Sequence, residues 1–199
     1  MMTEYTWDEM AAGWDTRADT RLYAERAFAS WERKAAALVS DLENSHVLDF
    51  GCGTGLLTEK LAPVCGHIVA VDTAAAMIDV LQNKVVEKHI GNITPLVISI
   101  AAETIRENSE FSEKFDLIVA SSVCGFLPDY NLTLRDLSSA LKPGGLFVQW
   151  DWSSEMPIER VRSAYKALGL IDLDVEEVFA MTMDDESVPV VMGMAQLRV

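Results

Sequence analysis

The chain is short of basic residues and of cysteine. It has 16 Lys and Arg residues against 31 Asp and Glu residues, a formal net charge of −15. A protein that neutralises nucleic-acid phosphates needs a dense basic face, so the sequence argues against a nucleic-acid partner. The three cysteines have no metal-ligand spacing, and an odd number of them is typical of a reducing compartment. We therefore expect no metal site.

Long apolar runs and linkers are also missing. No run of about 18 apolar residues could span a membrane, and residues 1–4 lack the basic start of a signal peptide. No internal repeat or low-complexity stretch marks a boundary in the 199 residues. These features predict one cytoplasmic domain over residues 1–199, as a monomer or homodimer, with no membrane partner.

One stretch organises the rest of the sequence. Residues 47–55 read VLDFGCGTG, an apolar run that ends in Gly51, Gly53 and Gly55, and residues 56–61 then follow helical spacing. This pattern predicts a strand, a tight turn and a helix. Glycine allows backbone conformations closed to other residues and lets a ligand approach the main chain. We expect Thr54 and Gly55 to place a helix N-terminus against that ligand.

The acid that completes this motif lies at the end of the next apolar run. Residues 67–71 read HIVAV and are followed by Asp72, where an adjacent parallel strand would stop. A carboxylate at that place can accept hydrogen bonds from both hydroxyls of a ribose. Dinucleotide-binding turns read G-x-G-x-x-G, whereas the glycines here read G-x-G-x-G and Asp49 lies inside the strand. The spacing therefore disfavours a dinucleotide dehydrogenase, which stays an alternative.

Strands and helices alternate along most of the chain. The patterns predict strands at 46–50, 67–72, 95–100, 115–121 and 145–151, with helices near 54–64, 74–88, 131–142 and 157–168 and a short one after Glu103. Such alternation with short connections indicates right-handed βαβ units and a parallel sheet. Residues 174–183 and 188–199 are β-rich and predict a terminal hairpin.

The combination resembles the class I S-adenosylmethionine-dependent methyltransferases through most of the chain. The glycine turn is similar to the family's first motif and Asp72 to its ribose-binding acid, while residues 115–122 and 141–148 resemble its fourth and fifth strands. The resemblance implies an α/β Rossmann-like, doubly wound, mostly parallel seven-stranded sheet with a C-terminal antiparallel hairpin. It also implies S-adenosyl-L-methionine as cofactor and a small-molecule methyl acceptor as partner.

The resemblance also implies which residues bind the cofactor. One position departs from the pattern, because Ala101, Ala102 and Glu103 stand where many relatives have an acid that meets the adenine amino group. The contact would pass to backbone or to Glu103, or be lost. The expected cofactor-binding residues are Asp49, Gly51, Cys52, Gly53, Thr54, Gly55, Asp72, Thr73, Met77, Ala102, Glu103 and Ser121.

Residues 1–42 precede the cofactor-binding core at 43–199. Thr6 or Asp8 could cap a short first helix, and a longer helix is expected from about Thr20 to Leu42. The segment's aromatic residues either pack it onto the sheet or, as the resemblance implies, form a helical lid over the site. The expected lid and substrate residues are Trp7, Trp14, Tyr23, Cys124, Phe126 and Trp152.

Catalysis by methyl transfer needs alignment more than a protein nucleophile. Asp151, at the expected functional edge, and Tyr130 are the candidates for a general base, which is needed when the acceptor must lose a proton. The leading hypothesis is a methyltransferase acting on a small molecule. A non-catalytic S-adenosylmethionine-binding module is the other alternative, since the adenine acid and an evident base are missing.

Overall fold

The computed structural model describes residues 6–183 and 185–199, so the chain's first five residues and Asp184 of the predicted hairpin turn lie outside it. Its centre is a seven-stranded sheet in the order β3-β2-β1-β4-β5-β7-β6. The antiparallel pairs are β5 with β7 and β6 with β7, and the other pairs are parallel. The strands are β1 His46–Phe50, β2 His67–Asp72, β3 Ile93–Val97, β4 Phe115–Ser121, β5 Leu141–Trp152, β6 Ile171–Met183 and β7 Glu186–Gln196. This confirms the predicted fold class.

Seven α-helices accompany these strands within the described ranges. None of those helices has both the length and the apolar character needed to cross a bilayer. The helices are α1 Trp7–Trp14, α2 Ala18–Lys34, α3 Thr58–Leu61, α4 Ala75–Glu87, α5 Ala102–Glu107, α6 Tyr130–Ala140 and α7 Ile158–Ala167.

Both faces of the central strands are buried. Val47 and Leu48 are adjacent in β1 but belong to different apolar clusters, because side chains alternate across a strand. The cluster of Leu48 includes Leu134 of α6 and Tyr165 of α7, whereas that of Val47 includes Trp31 of α2. Strands covered on both faces read as continuous apolar runs, which is why β1, β2 and β4 were recognisable in the sequence.

The N-terminal helices differ from their predicted bounds. The expected helix from about Thr20 to Leu42 ends at Lys34, and residues 36–38 form a separate 3-10 turn. Tyr23, Ala27 and Trp31 are buried, whereas Leu22 is exposed. The small side chains at positions 24 and 27 bring that face of α2 close to the sheet.

Two further bounds near the expected site are shifted. The helix expected from residue 54 begins at Thr58, because Gly55 has a φ of +83° and keeps the chain in a turn. The strand expected at 95–100 is β3 at Ile93–Val97, so the chain leaves the sheet before Ala102. Both shifts change which backbone groups face the site.

Candidate functional site

A cavity of about 680 Å³ opens at the carboxyl edge of β1, β2 and β4. In an open α/β sheet this edge is where ligands bind, near the point where the strand order reverses. Here the reversal falls between β1 and β4. The predicted residues that line the cavity are Asp49, Gly51, Cys52, Gly53, Thr54, Asp72, Thr73, Met77, Ser121, Trp7, Trp14, Tyr23, Phe126 and Trp152.

The glycines of the turn have different reasons for lacking a side chain. All three have positive φ, but a Cβ on Gly51 would meet Val123 at 2.4 Å and one on Gly55 would meet Leu81 at the same distance. A Cβ on Gly53 would meet nothing within 4 Å. Gly51 and Gly55 therefore permit tight packing of the turn, whereas Gly53 leaves open space beside the backbone for a ligand.

Asp72 joins the glycine turn to the start of α4. Its Oδ2 accepts a hydrogen bond from the backbone N–H of Gly53 at 2.8 Å, and its Oδ1 accepts one from Ala74 at 2.9 Å. Each carboxylate oxygen has a second lone pair, so Asp72 can still accept hydrogen bonds from the hydroxyl groups of a ligand in the cavity. The structure thus places Asp72 in both the framework of the turn and the lining of the cavity.

Asp49 is a buried carboxylate with an unused oxygen. Its Oδ2 accepts a hydrogen bond from the Thr58 hydroxyl at 2.6 Å, whereas Oδ1 has no partner in the described residues. Burial raises the pKa of Asp49 to about 7, the charge of Asp72 adds to the increase, and the Thr58 hydrogen bond opposes it. A buried carboxylate that lines a cavity is stabilised by a cationic donor from a ligand.

Helix α1 lies beside the cavity and is attached to the core by acidic side chains. Asp8 accepts a hydrogen bond from the backbone N–H of Ala76 at 2.8 Å, so it caps α4, whose own N-cap residue Ala74 has no capping side chain. Asp15 follows α1 and accepts the Thr54 hydroxyl at 2.5 Å. The first contact anchors α1 to the helix after Asp72, and the second anchors it to the glycine turn.

Lys84 strengthens this attachment. Its ammonium contacts Asp15 at 2.9 Å and Glu59 at 2.7 Å, and only 13% of the side chain is exposed. Lys88 also pairs with Glu59, at 2.5 Å. A cation bound by two carboxylates in a largely buried place resists screening by salt better than an exposed pair does.

The aromatic residues of α1 meet the loop after β4. Trp7 packs edge-on against Trp14 at 6.0 Å and against Phe126 at 5.4 Å between ring centroids. Trp7 is 43% exposed and Phe126 54%. The three rings form part of the cavity wall at the surface.

Helix α2 contributes Tyr23 to the cavity wall. Its ring packs against Trp152 at 5.2 Å and Phe179 at 5.4 Å, and Trp152 donates a hydrogen bond to the Ser122 hydroxyl at 3.1 Å. Tyr23 is 7% exposed, and its Oη has no hydrogen-bond partner in the described residues. Burial raises the pKa of Tyr23, and the negative charge of Asp151 adds to the increase.

The two expected base residues and Cys124 are brought together, but in the core rather than in the cavity lining. Gln149 accepts the Tyr130 hydroxyl at 2.5 Å and donates to Asp151 at 3.0 Å, and the backbone N–H of Gly125 also donates to Asp151 at 3.1 Å. Burial raises the pKa of Asp151 to about 7 and also raises the pKa values of Tyr130 and Cys124. The network lies behind the loop that bears Phe126, because these side chains turn into the core.

Three further predicted residues lie outside the lining. Gly55 is in the turn, but a Cβ added to it would meet the side chain of Leu81. Ala102 and Glu103 begin α5, after the connection 98–101 that follows β3, and Ile98 lines the cavity in their place. The reason is the early end of β3, which the sequence pattern placed at residue 100.

The sequence pattern missed several wall residues. Ser122, which has a φ of +54°, and Glu155 lie in the loops after β4 and β5, and Glu186 and Val188 come from the C-terminal hairpin. The hairpin's approach to the cavity depends on its pairing with β5, which no local motif signals. Among the described residues, no group of three or more His, Cys, Asp or Glu side chains could hold a metal ion.

The comparisons with known proteins agree with this geometry. The family model described as a methyltransferase domain matches residues 48–147. The ubiquinone biosynthesis O-methyltransferase of Chelativorans sp. (strain BNC1) is 32% identical over 136 residues, which are 68% of this chain and 48% of that protein. The chain thus spans about half the length of this curated relative.

Solved structures share the fold at low sequence identity. A SAM-dependent methyltransferase from Aquifex aeolicus superposes with a TM-score of 0.70 at 17% identity, covering 96% of this chain and 99% of that one. The N-methyltransferase NodS of Bradyrhizobium japonicum WM9, in complex with S-adenosyl-L-homocysteine, has a TM-score of 0.59 at 20% identity and covers 90% and 98%.

The fold and the cavity define a Rossmann-like protein with an open cavity at the carboxyl edge of its sheet. The chain belongs to the class I S-adenosylmethionine-dependent methyltransferase family, and its cofactor is S-adenosylmethionine. This assignment confirms the predicted resemblance and argues against the dinucleotide dehydrogenase.

Proposed function

We propose that the chain transfers the methyl group of S-adenosylmethionine to a small-molecule acceptor. The observation that carries the proposal is that one cavity joins the glycine turn and Asp72 to α2 and the loop after β5. Donor and acceptor can then lie side by side in one enclosed space. Small-molecule sites are usually concave cavities lined by residues from several elements.

The cofactor fits the side of the cavity formed by β1 and β2. Asp72 would accept the ribose hydroxyls, and the space beside Gly53 would admit the cofactor close to the backbone. The unpartnered Oδ1 of Asp49 would accept a hydrogen bond from the cofactor's ammonium group. Thr73, Met77 and Ser121 are further proposed contacts on this side.

The residues of the chain would act mainly by alignment. When bound, S-adenosylmethionine supplies an electrophilic methyl group on a positively charged sulfur. Holding an acceptor in line with that methyl group and away from water can lower the barrier by up to about 7–11 kcal/mol. The aromatic faces of Tyr23 and Trp152 would favour the nearby positive charge.

Asp151 and Tyr130 remain proposed base residues, but they do not line the cavity. Within the described ranges no histidine lines it either. An acceptor proton would therefore pass to water or to a carboxylate at the wall. This arrangement suits an acceptor that gives its proton to water before the transfer, and the alternative of a binding module that performs no chemistry is tested below.

The proposed function is tested by calorimetry followed by a turnover screen. S-adenosylhomocysteine is expected to bind with micromolar affinity, about −8 kcal/mol. Incubation with methyl-labelled cofactor and a metabolite extract should then label a small molecule. Absence of binding at millimolar ligand would contradict the function, and binding without labelling of any acceptor would favour the non-catalytic module.

Cofactor affinity is expected to rise with pH between about 5.5 and 7.5, because Asp49 must be ionised to attract the ammonium group and its pKa is about 7. The same shift means that the folded protein holds a proton that the unfolded chain has lost, so Asp49 lowers stability as pH rises from its ordinary pKa of 3.8 to about 7. Calorimetry of S-adenosylhomocysteine at several pH values measures the affinity, which should change by about tenfold or more. Asp49→Asn should remove the dependence, and a flat profile in the unaltered protein would contradict the Asp49 role.

We also predict that α1 and the turn after it act as a lid that becomes more ordered when cofactor binds. Segments that gate a site belong to the less stable part of a fold. Hydrogen exchange across residues 6–19 should slow on addition of S-adenosylhomocysteine, while exchange around the buried Trp31 should change little. Full protection of residues 6–19 in the free protein would mean that Trp7 and Trp14 are structural residues and not a lid.

A further inference from the structure

The side of the cavity away from β1 and β2 has its own chemistry. It is formed by α2, the loop after β5 and the C-terminal hairpin, which do not contribute to the glycine turn or to the acid at the end of β2. Tyr23, Trp152, Glu155 and Glu186 lie on this side. We call it the acceptor side, because the proposed function leaves it for the second substrate.

The charged side chains of the acceptor side are mostly acidic. Asp19, Glu155 and Glu186 line it, and the basic residue that lines the cavity within the described ranges is Arg17. Arg17 is paired with Asp19 at 2.6 Å, so its charge is already compensated. Glu155 and Glu186 have no ion-pair partner among the described residues. An anionic acceptor would meet repulsion here without a free cation to bind it.

A second observation points to a ligand in the same place. Tyr23 lines the cavity, and its buried hydroxyl has no hydrogen-bond partner in the described residues. A buried hydroxyl without a partner carries a desolvation cost that a ligand donor or acceptor would remove. The adjoining Trp152 ring, at 5.2 Å from that of Tyr23, offers an aromatic face of the kind that attracts organic cations.

We propose that the methyl acceptor is an amine attached to an apolar group, and that the methyl group is transferred to its nitrogen. The inference rests on the proposed function. The carboxylates of Glu155 and Glu186 attract the protonated amine, and the aromatic rings contact its apolar part. The net charge of −15 draws cations toward the protein from a distance.

The chemical step is balanced without a further reactant. The protonated amine first gives one proton to water, which frees the nitrogen lone pair. The nitrogen then forms a bond to the methyl carbon as the bond from that carbon to sulfur breaks. The positive charge passes from sulfur to the methylated nitrogen. S-adenosylhomocysteine, whose sulfur is now a neutral thioether, is the leaving group.

The test compares three probes of similar size and different charge. Calorimetry of the protein saturated with S-adenosylhomocysteine would measure the affinities of phenethylamine, phenethyl alcohol and hydrocinnamate. The amine is expected to bind more tightly than the carboxylate by about tenfold or more. With S-adenosylmethionine present, mass spectrometry should find the added methyl group on the amine nitrogen and not on the alcohol.

Variants of Glu155 and Glu186 test whether these two carboxylates cause the preference for the amine. Glu155→Gln combined with Glu186→Gln should reduce the preference for the amine by about tenfold, while phenethyl alcohol and S-adenosylhomocysteine bind as before. The matched control is Glu87→Gln combined with Glu159→Gln, which changes net charge equally at exposed positions outside the cavity. The control should keep the preference.

The outcomes separate this inference from the proposed function. If S-adenosylhomocysteine does not bind, the proposed function fails and the amine inference fails with it. If S-adenosylhomocysteine binds but the amine binds no more tightly than hydrocinnamate, the amine inference alone is overturned. The same holds if none of the three probes binds, or if the control variant loses the preference as fully as the cavity variant does.

Discussion

Gly53→Val is expected to abolish cofactor binding while the protein stays folded. A Cβ at Gly53 meets nothing within 4 Å, so the added side chain would enter the space proposed for the ligand. Overlap of this kind should weaken the binding of S-adenosylhomocysteine by about 3 kcal/mol or more, which is more than a hundredfold in affinity. Calorimetry measures the affinity, and thermal unfolding reports the fold.

The control for Gly53→Val must carry the same backbone strain. Gly169 has a φ of +69°, close to the +54° of Gly53, and a Cβ there would also meet nothing within 4 Å. Gly169→Val should therefore be destabilised similarly, by about 1–2 kcal/mol from the left-handed conformation, but should bind S-adenosylhomocysteine normally. Normal binding by Gly53→Val would show that the ligand does not approach this part of the turn.

Asp72→Ala is expected to cause the second large loss of cofactor affinity. Each lost hydrogen bond from a ribose hydroxyl to the carboxylate should cost about 1.5–3 kcal/mol. Because Asp72 also accepts the backbone N–H groups of Gly53 and Ala74, the variant should melt at a lower temperature. Calorimetry with S-adenosylhomocysteine, performed well below the melting temperature, measures the binding loss.

Asp116→Ala separates the binding effect from the effect on stability. Asp116 in β4 likewise accepts a backbone N–H, from His46 at 2.9 Å, and pairs with Lys142 at 2.8 Å, but it does not line the cavity. It should lower stability and leave affinity unchanged. An affinity of Asp72→Ala within about twofold of the unaltered protein would exclude the ribose-binding role.

Much of the fold and one side of the cavity could be predicted because their signals are local. Strands β1, β2 and β4 are apolar runs, and the glycine after β1 and the acid at the end of β2 mark where those two strands stop. Parallel strands stop at one edge of a sheet, so the predicted pattern already brought Asp49, Gly53 and Asp72 to one place. The parallel direction of the central strands followed from their alternation with helices.

The sequence pattern carries no information on side-chain direction and packing. Asp151 and Tyr130 follow the expected pattern at the functional edge, yet both turn into the core and meet through Gln149. The early end of β3 removes Ala102 and Glu103 from the lining and leaves Ile98 there. A change of three residues in a strand end, or of one rotamer, is not visible in a hydrophobic pattern.

The sequence by itself determined the fold class, the glycine turn and the acid at the end of β2, because periodicity and backbone freedom are properties of neighbouring residues. The tertiary structure decided how α1 is held and what the acceptor side contains. Asp8 reaches Ala76 across 68 positions and Lys84 reaches Asp15 across 69, and Glu186 enters the wall only because β7 pairs with β5 and β6. Contacts between residues so far apart in the chain depend on the packing of whole elements, which local pattern does not encode.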